Sequence, residues 1–125
     1  MKKTSPTAAV LIVDRDLDVN REIRDFLEAR DYAVECAQDA EKAFNRIDSE
    51  PFDVLITELS VSRGDGMRLM HVAKERNPDI CIVFAIKRNE IEPATEAMRQ
   101  GAYDFQVKPL NLPKLEAVIQ RGLAY

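Results

Sequence analysis

Five short apolar runs alternate with five amphipathic stretches along this chain of 125 residues, and that alternation leaves few folds open. Residues 8–13 form a continuous apolar run, as a strand covered on both faces should. Val19, Ile23, Phe26 and Leu27 then recur at helical spacing and make one stripe. Residues 33–37 read as a second strand. Ala40, Ala43, Phe44 and Ile47 form the next stripe, with Asp39 placed to cap that helix.

The third strand falls at residues 52–57. A helix carrying Leu69, Met70 and Ala73 follows the Gly64-Asp65-Gly66 turn and ends near Asn77-Pro78. The fourth strand spans 80–86. Asn89 with Glu92 three residues on reads as a capping box, Ala94, Ala97 and Met98 as a buried face, and Gly101 as the stop. Residues 103–107 are the fifth strand, and Asn111 caps a last helix bearing Leu115, Val118, Ile119 and Leu123. Five β-α units predict an α/β domain with a parallel sheet, right-handed crossovers and helices on both faces. Residues 1–7 are a polar lead-in without the apolar core of a signal peptide, and 8–123 the domain.

Composition narrows the function classes. With 18 basic against 22 acidic residues and no basic cluster, a nucleic-acid surface is not expected on this domain. No apolar stretch nears the roughly 18–20 residues of a membrane span, so no membrane contact is expected. Cys36 and Cys81 lie in expected strands without metal spacing and read as small core residues. Together these point to a cytoplasmic protein.

In open α/β sheets, ligands sit beyond the carboxyl ends of the strands. Here the first strand runs into Asp14-Arg15-Asp16, the third into Glu58, the fourth into Ile86 and the fifth into Lys108-Pro109. The order Leu11-Ile12-Val13-Asp14, then Phe52-Asp53-Val54-Leu55-Ile56-Thr57-Glu58, Gly64-Asp65-Gly66, Gly101-Ala102-Tyr103-Asp104-Phe105 and Lys108-Pro109 resembles the response-regulator receiver family over nearly the whole chain. The run from Glu96 to Phe105 and the final helix are most similar to receivers of the NtrC type.

The resemblance implies a flavodoxin-like, CheY-like (βα)5 fold, a doubly wound sheet ordered 2-1-3-4-5. It also implies a part in two-component signalling and transcription regulation, with phosphoryl transfer to an aspartate in the presence of Mg²⁺. It further implies downstream ATPase and DNA-binding domains in a longer protein, and a homodimer surface from Ala94 through Leu123.

The match breaks where the family does its chemistry. Asp14 fits the first acidic residue of the family's pocket, but Arg15 stands where the second belongs. Glu58 replaces the phosphoacceptor aspartate, and Ile86 falls where a Thr or Ser hydroxyl reads the phosphoryl group. Lys108 is retained, and Phe105 occupies the aromatic switch position. A pocket of Asp14, Arg15, Glu58 and Lys108 is formally neutral, so Arg15 or Lys108 is expected to take the metal's electrostatic place by pairing with a carboxylate.

The expectation is an atypical receiver that is not an enzyme, works through protein partners independently of phosphorylation, and needs no cofactor, with Mg²⁺ binding weak or absent. If a cation did bind, Asp14, Asp16 and Glu58 would hold it. The rival expectation is a receiver still phosphorylated, with Mg²⁺, at an unusual residue. Glu58 itself admits two readings, partial mimicry of a phosphorylated state or simple loss of the acceptor. A phosphoryl group brings about −1.5 to −2 charge and three acceptor oxygens, which one carboxylate cannot reproduce.

Other polar residues carry weaker signals. His71 has no ligand-spaced partner and reads as a surface or packing residue. Thr57, Ser60 and Ser62 flank the site without a nucleophile–base arrangement. Asp18 could assist a cation at Asp16. Gly64 and Gly66 alone are a weak phosphate-loop pattern.

Overall fold

The structure, a computed structural model, describes residues 7–60 and 65–124. The expected alternation is realised in full. Strands β1 (Ala9–Val13), β2 (Ala33–Ala37), β3 (Val54–Glu58), β4 (Cys81–Ile86) and β5 (Asp104–Val107) alternate with helices α1 (Leu17–Glu28), α2 (Ala40–Ser49), α3 (Gly66–Arg76), α4 (Ile91–Arg99) and α5 (Leu112–Ala124). All strand pairs are parallel and the sheet order is β2-β1-β3-β4-β5. This is the flavodoxin-like doubly wound arrangement. The leading residues 1–6, Ser62 beside the site and Gly64 of the expected turn lie outside the described residues.

Period-two alternation of the strands sorts the apolar side chains into two layers. Leu11, Leu55, Ile82 and Phe84 face α2, α3 and α4, joined by Ala43, Leu69, Met70 and Ala97. Val10, Ile12, Ile56 and Val83 face α1 and α5, against Ile23, Leu27, Leu115 and Ile119. The central strands β3 and β4 are buried at every residue, as near-continuous apolar runs between two helical layers must be.

The helix termini follow local chemistry. Asp39 accepts a bond from the Lys42 amide, and Asn111 accepts one from the Lys114 amide. Asn77 ends α3, and Gly101, at φ +125°, closes the turn after α4 in a conformation that a side chain resists.

Three expectations need correction. The Asn89–Glu92 box does not form, because a 3₁₀ turn over Arg88–Glu90 precedes α4 and the Glu90 carboxylate accepts from the Lys87 amide instead. Met98 is 37% exposed, since Ala94 and Ala97 already fill the narrow contact of α4 with the sheet. Cys81 is core, with burial pushing its thiol up to about 11, whereas Cys36 on the edge strand β2 is only half-buried.

Candidate functional site

Parallel register brings separate strand ends to one place. Val13 pairs with Thr57, so the next residues, Asp14 and Glu58, stand side by side where β1 and β3 end. Both side chains continue the layer that faces α1 and α5, because Ile12 and Ile56 precede them by two. Lys108 enters from beyond β5, its amide donating to the Ile86 carbonyl at 2.8 Å, next to the cis Lys108–Pro109 peptide.

The Lys108 ammonium bridges the two acids. Its Nζ lies 2.7 Å from Asp14 Oδ2 and 3.0 Å from Glu58 Oε2. The remaining oxygens are also engaged. Asp14 Oδ1 accepts the Asp16 amide at 2.9 Å, and Glu58 Oε1 accepts the Arg15 amide at 3.0 Å. Arg15 Nε stands farther off, 3.5 Å from Glu58 Oε1, and its side chain is largely solvent-exposed. Asp14 and Glu58 are 2% and 4% exposed, so this pairing is made largely out of water, where charge-assisted bonds are strongest.

The electrostatics follow from those bonds. Burial alone would push the Glu58 carboxyl up, but the Arg15 amide and the Lys108 ammonium outweigh it and hold Glu58 below the ordinary range. Burial would likewise lower Lys108, yet its bonds to Asp14 and Glu58 hold it above its ordinary value. The depressed Glu58 contributes stability that is present above about pH 4.3, the unfolded value, and lost as pH falls through its folded value. The raised Lys108 contributes stability present below about pH 10.4 and lost as pH rises through its folded value. Melting temperature against pH is therefore expected to fall at both ends, and Glu58→Gln to make the acid arm shallower; an unchanged acid arm in that variant would contradict the assignment.

Not every expected residue joins this cluster. Ile86 is fully buried in the opposite layer with Phe84 and Leu59, and Phe105 packs half-buried against that layer. Asp16 caps α1, its Oδ1 accepting the Asp18 amide at 2.9 Å. Thr57 donates to the Glu58 carbonyl at 2.9 Å, from within the core. His71 pairs with Gln100 at 2.8 Å on the surface, tying α3 to the end of α4.

Asn20 was not anticipated as a site residue. It is 3% exposed, and its Nδ2 donates to the Asp14 carbonyl at 2.9 Å. A signal was available: Asn20 lies three and seven residues before Ile23 and Leu27, an amide on the buried stripe of α1.

Comparison with known proteins fits this arrangement. The family model of the response regulator receiver domain matches residues 10–120. The chain belongs to that receiver family. The receiver domain is 32% identical over 116 residues to the nitrogen assimilation regulatory protein NtrX of Azorhizobium caulinodans, covering 91% of this chain and 26% of the relative. It is 27% identical over 116 residues to the transcriptional regulatory protein ZraR of Escherichia coli K12, covering 93% and 26%.

Among solved structures, NtrX from Brucella abortus, in complex with ADP, superposes with a TM-score of 0.86 at 28% identity, covering 94% of this chain and 27% of that one. A two-component response regulator from Clostridium difficile superposes at 0.85 with 30% identity, covering 94% and 97%. The relatives are NtrC-type regulators, and the receiver domain spans about a quarter of the length of the curated relatives it matches. This is a receiver domain of two-component signalling, a regulatory rather than catalytic class. No described helix is long and apolar enough to cross a membrane.

Proposed function

We propose that this receiver domain signals without phosphorylation and without a metal ion, as a contact module of a cytoplasmic transcription regulator. One observation carries the reading: all four carboxylate oxygens of Asp14 and Glu58 already have donors within the protein. Mg²⁺ asks for hard oxygen ligands in near-octahedral geometry. Here the two acids are held by Lys108, an arginine occupies the neighbouring position, and the Asp16 carboxylate is turned to the Asp18 amide. No group of three or more His, Cys, Asp or Glu suited to a metal is present among the described residues. This donor set does not fit the Mg²⁺ site of an ordinary receiver.

The other altered positions support the same reading. Ile86 has no hydroxyl and is packed in the core, so a phosphoryl group on residue 58 would lack its reader. Such a domain is not an enzyme, and its output passes through surfaces. Ile91 at 46% exposure and Met98 at 37% leave apolar area on α4, the first just before and the second within the region from Ala94 through Leu123 that serves as a homodimer face in this reading. Relatives bearing the names transcriptional regulatory protein and DNA-binding transcriptional regulator favour a longer protein with ATPase and DNA-binding domains. With a net charge of −4, this domain itself leaves nucleic acid to those partners.

Intact-mass measurement after acetyl phosphate and Mg²⁺ tests the reading. The expected result is an unmodified chain and no millimolar-or-tighter Mg²⁺ binding by calorimetry. A stable, hydroxylamine-sensitive phosphoryl adduct would overturn it in favour of an unusual acceptor.

A further inference from the structure

Register extends the polar row beyond the two acids. Glu58 pairs with Ala85, and Ala85 pairs with Gln106 on β5. Asp14, Glu58, Ala85 and Gln106 thus stand abreast on four adjacent strands, on the face covered by α1 and α5. Gln106 enters a layer otherwise built from Val83, Leu115 and Ile119.

A glutamine there is costly. Its Nε2 is buried without a hydrogen-bond partner among the described residues. A buried amide donor left unpaired costs more than an apolar side chain of the same shape. Its other atom is used: Gln106 Oε1 accepts the Asn111 amide at 3.0 Å. That bond spans the turn holding Lys108 and Pro109. Beyond it, the Asn111 carbonyl and Oδ1 accept the Leu115 and Lys114 amides, so the turn is fixed directly to the first turn of α5.

We propose that Gln106 is a positioning residue for Lys108. Its carbonyl oxygen closes the β5–α5 turn so that the ammonium reaches across β4 to both Asp14 and Glu58. The link joins the charged cluster to α5 without using the side chain at position 86. This inference rests on the reading of Lys108 as the cation of the pocket.

The test compares Gln106→Met, which keeps bulk and loses the acceptor, with Asn111→Ala, which loses the helix cap but keeps the amide that Gln106 holds. Both are studied unmodified and free of Mg²⁺, by carboxyl-carbon NMR titration of Glu58 and by exchange of the Lys108 ammonium protons. In Gln106→Met the Glu58 midpoint is expected to rise by about half a unit or more, and Lys108 protons to exchange about tenfold faster as the turn opens. Asn111→Ala is expected to melt earlier without moving either signal.

An unmoved Glu58 and Lys108 in Gln106→Met overturns the proposal, as does the same shift in Asn111→Ala, which would mark general fraying of α5. Should Gln106→Met not fold, Gln106→Glu retains an acceptor for Asn111, and fast Lys108 exchange in that variant overturns the proposal equally. Phosphorylation or Mg²⁺ binding in the wild type would refute the reading of the pocket, and is scored separately from these comparisons.

Discussion

Lys108→Met is expected to be the most damaging change that leaves the apolar core intact. It would leave the Asp14 and Glu58 carboxylates side by side, nearly buried, without their shared cation. Breaking a buried pair by removing one partner costs about 3–5 kcal/mol. Lys108 is 24% exposed in its side chain, which places the loss near the lower end, about 3 kcal/mol. For a domain of this size, that lowers the melting temperature by roughly 10 °C or more.

The sign of the pH response should also reverse. With the cation gone, burial and the neighbouring acid raise a carboxyl above its unfolded value, so protonation favours the folded state. The deficit relative to wild type is then smaller at pH 5 than at pH 7. Thermal melts at the two values check this, and an equal deficit at both would mean that Lys108 acts by packing alone.

Gly66→Ala is the second large effect. A Cβ at Gly66 would stand 2.4 Å from the Glu58 carbonyl oxygen, 2.7 Å from that of Leu59 and 2.8 Å from Leu59 Cα. All three are backbone atoms, so no side chain can swing aside. The first turn of α3 must withdraw from the end of β3, breaking the Gly66 amide bond to the Leu59 carbonyl. Overpacking of this kind costs about 1–3 kcal/mol, and unyielding backbone neighbours place it at the top of that range. Because the displaced strand end carries Glu58, the Arg15 amide that bonds to it should shift in NMR spectra. Wild-type melting together with an unmoved Arg15 amide would show that α3 does not bear on the site.

Much of this architecture is legible in the sequence because it is local. Alternating periods give the five units, while Asp39 and Asn111 announce their helices by short-range side-chain bonds. The Asn89–Glu92 pairing failed for a reason equally local, since a 3₁₀ turn shifts the start of α4. The site is legible only in part. Sequence places charges at the strand ends and offers Arg15 and Lys108 as candidate cations. It does not show that Arg15 contributes its amide at 3.0 Å while its side chain stays in solvent. Nor does it identify Gln106, whose importance depends on which residue lies beside it on another strand or helix, and for Asn20 it marks a buried amide without naming the Asp14 carbonyl as its partner.

The Lys108–Asp14 contact joins residues 94 apart in sequence, and the Lys108–Glu58 contact residues 50 apart. A clasp between the first and last units closes only after the intervening chain has been organised, because loop closure must precede the reward. Such a long-range contact is expected to act mainly on the unfolding rate, because interactions absent from the transition state govern how long a native domain lasts. On that expectation the clasp acts as a fastener, and its loss shows in how long the folded state lasts as well as in the melting temperature.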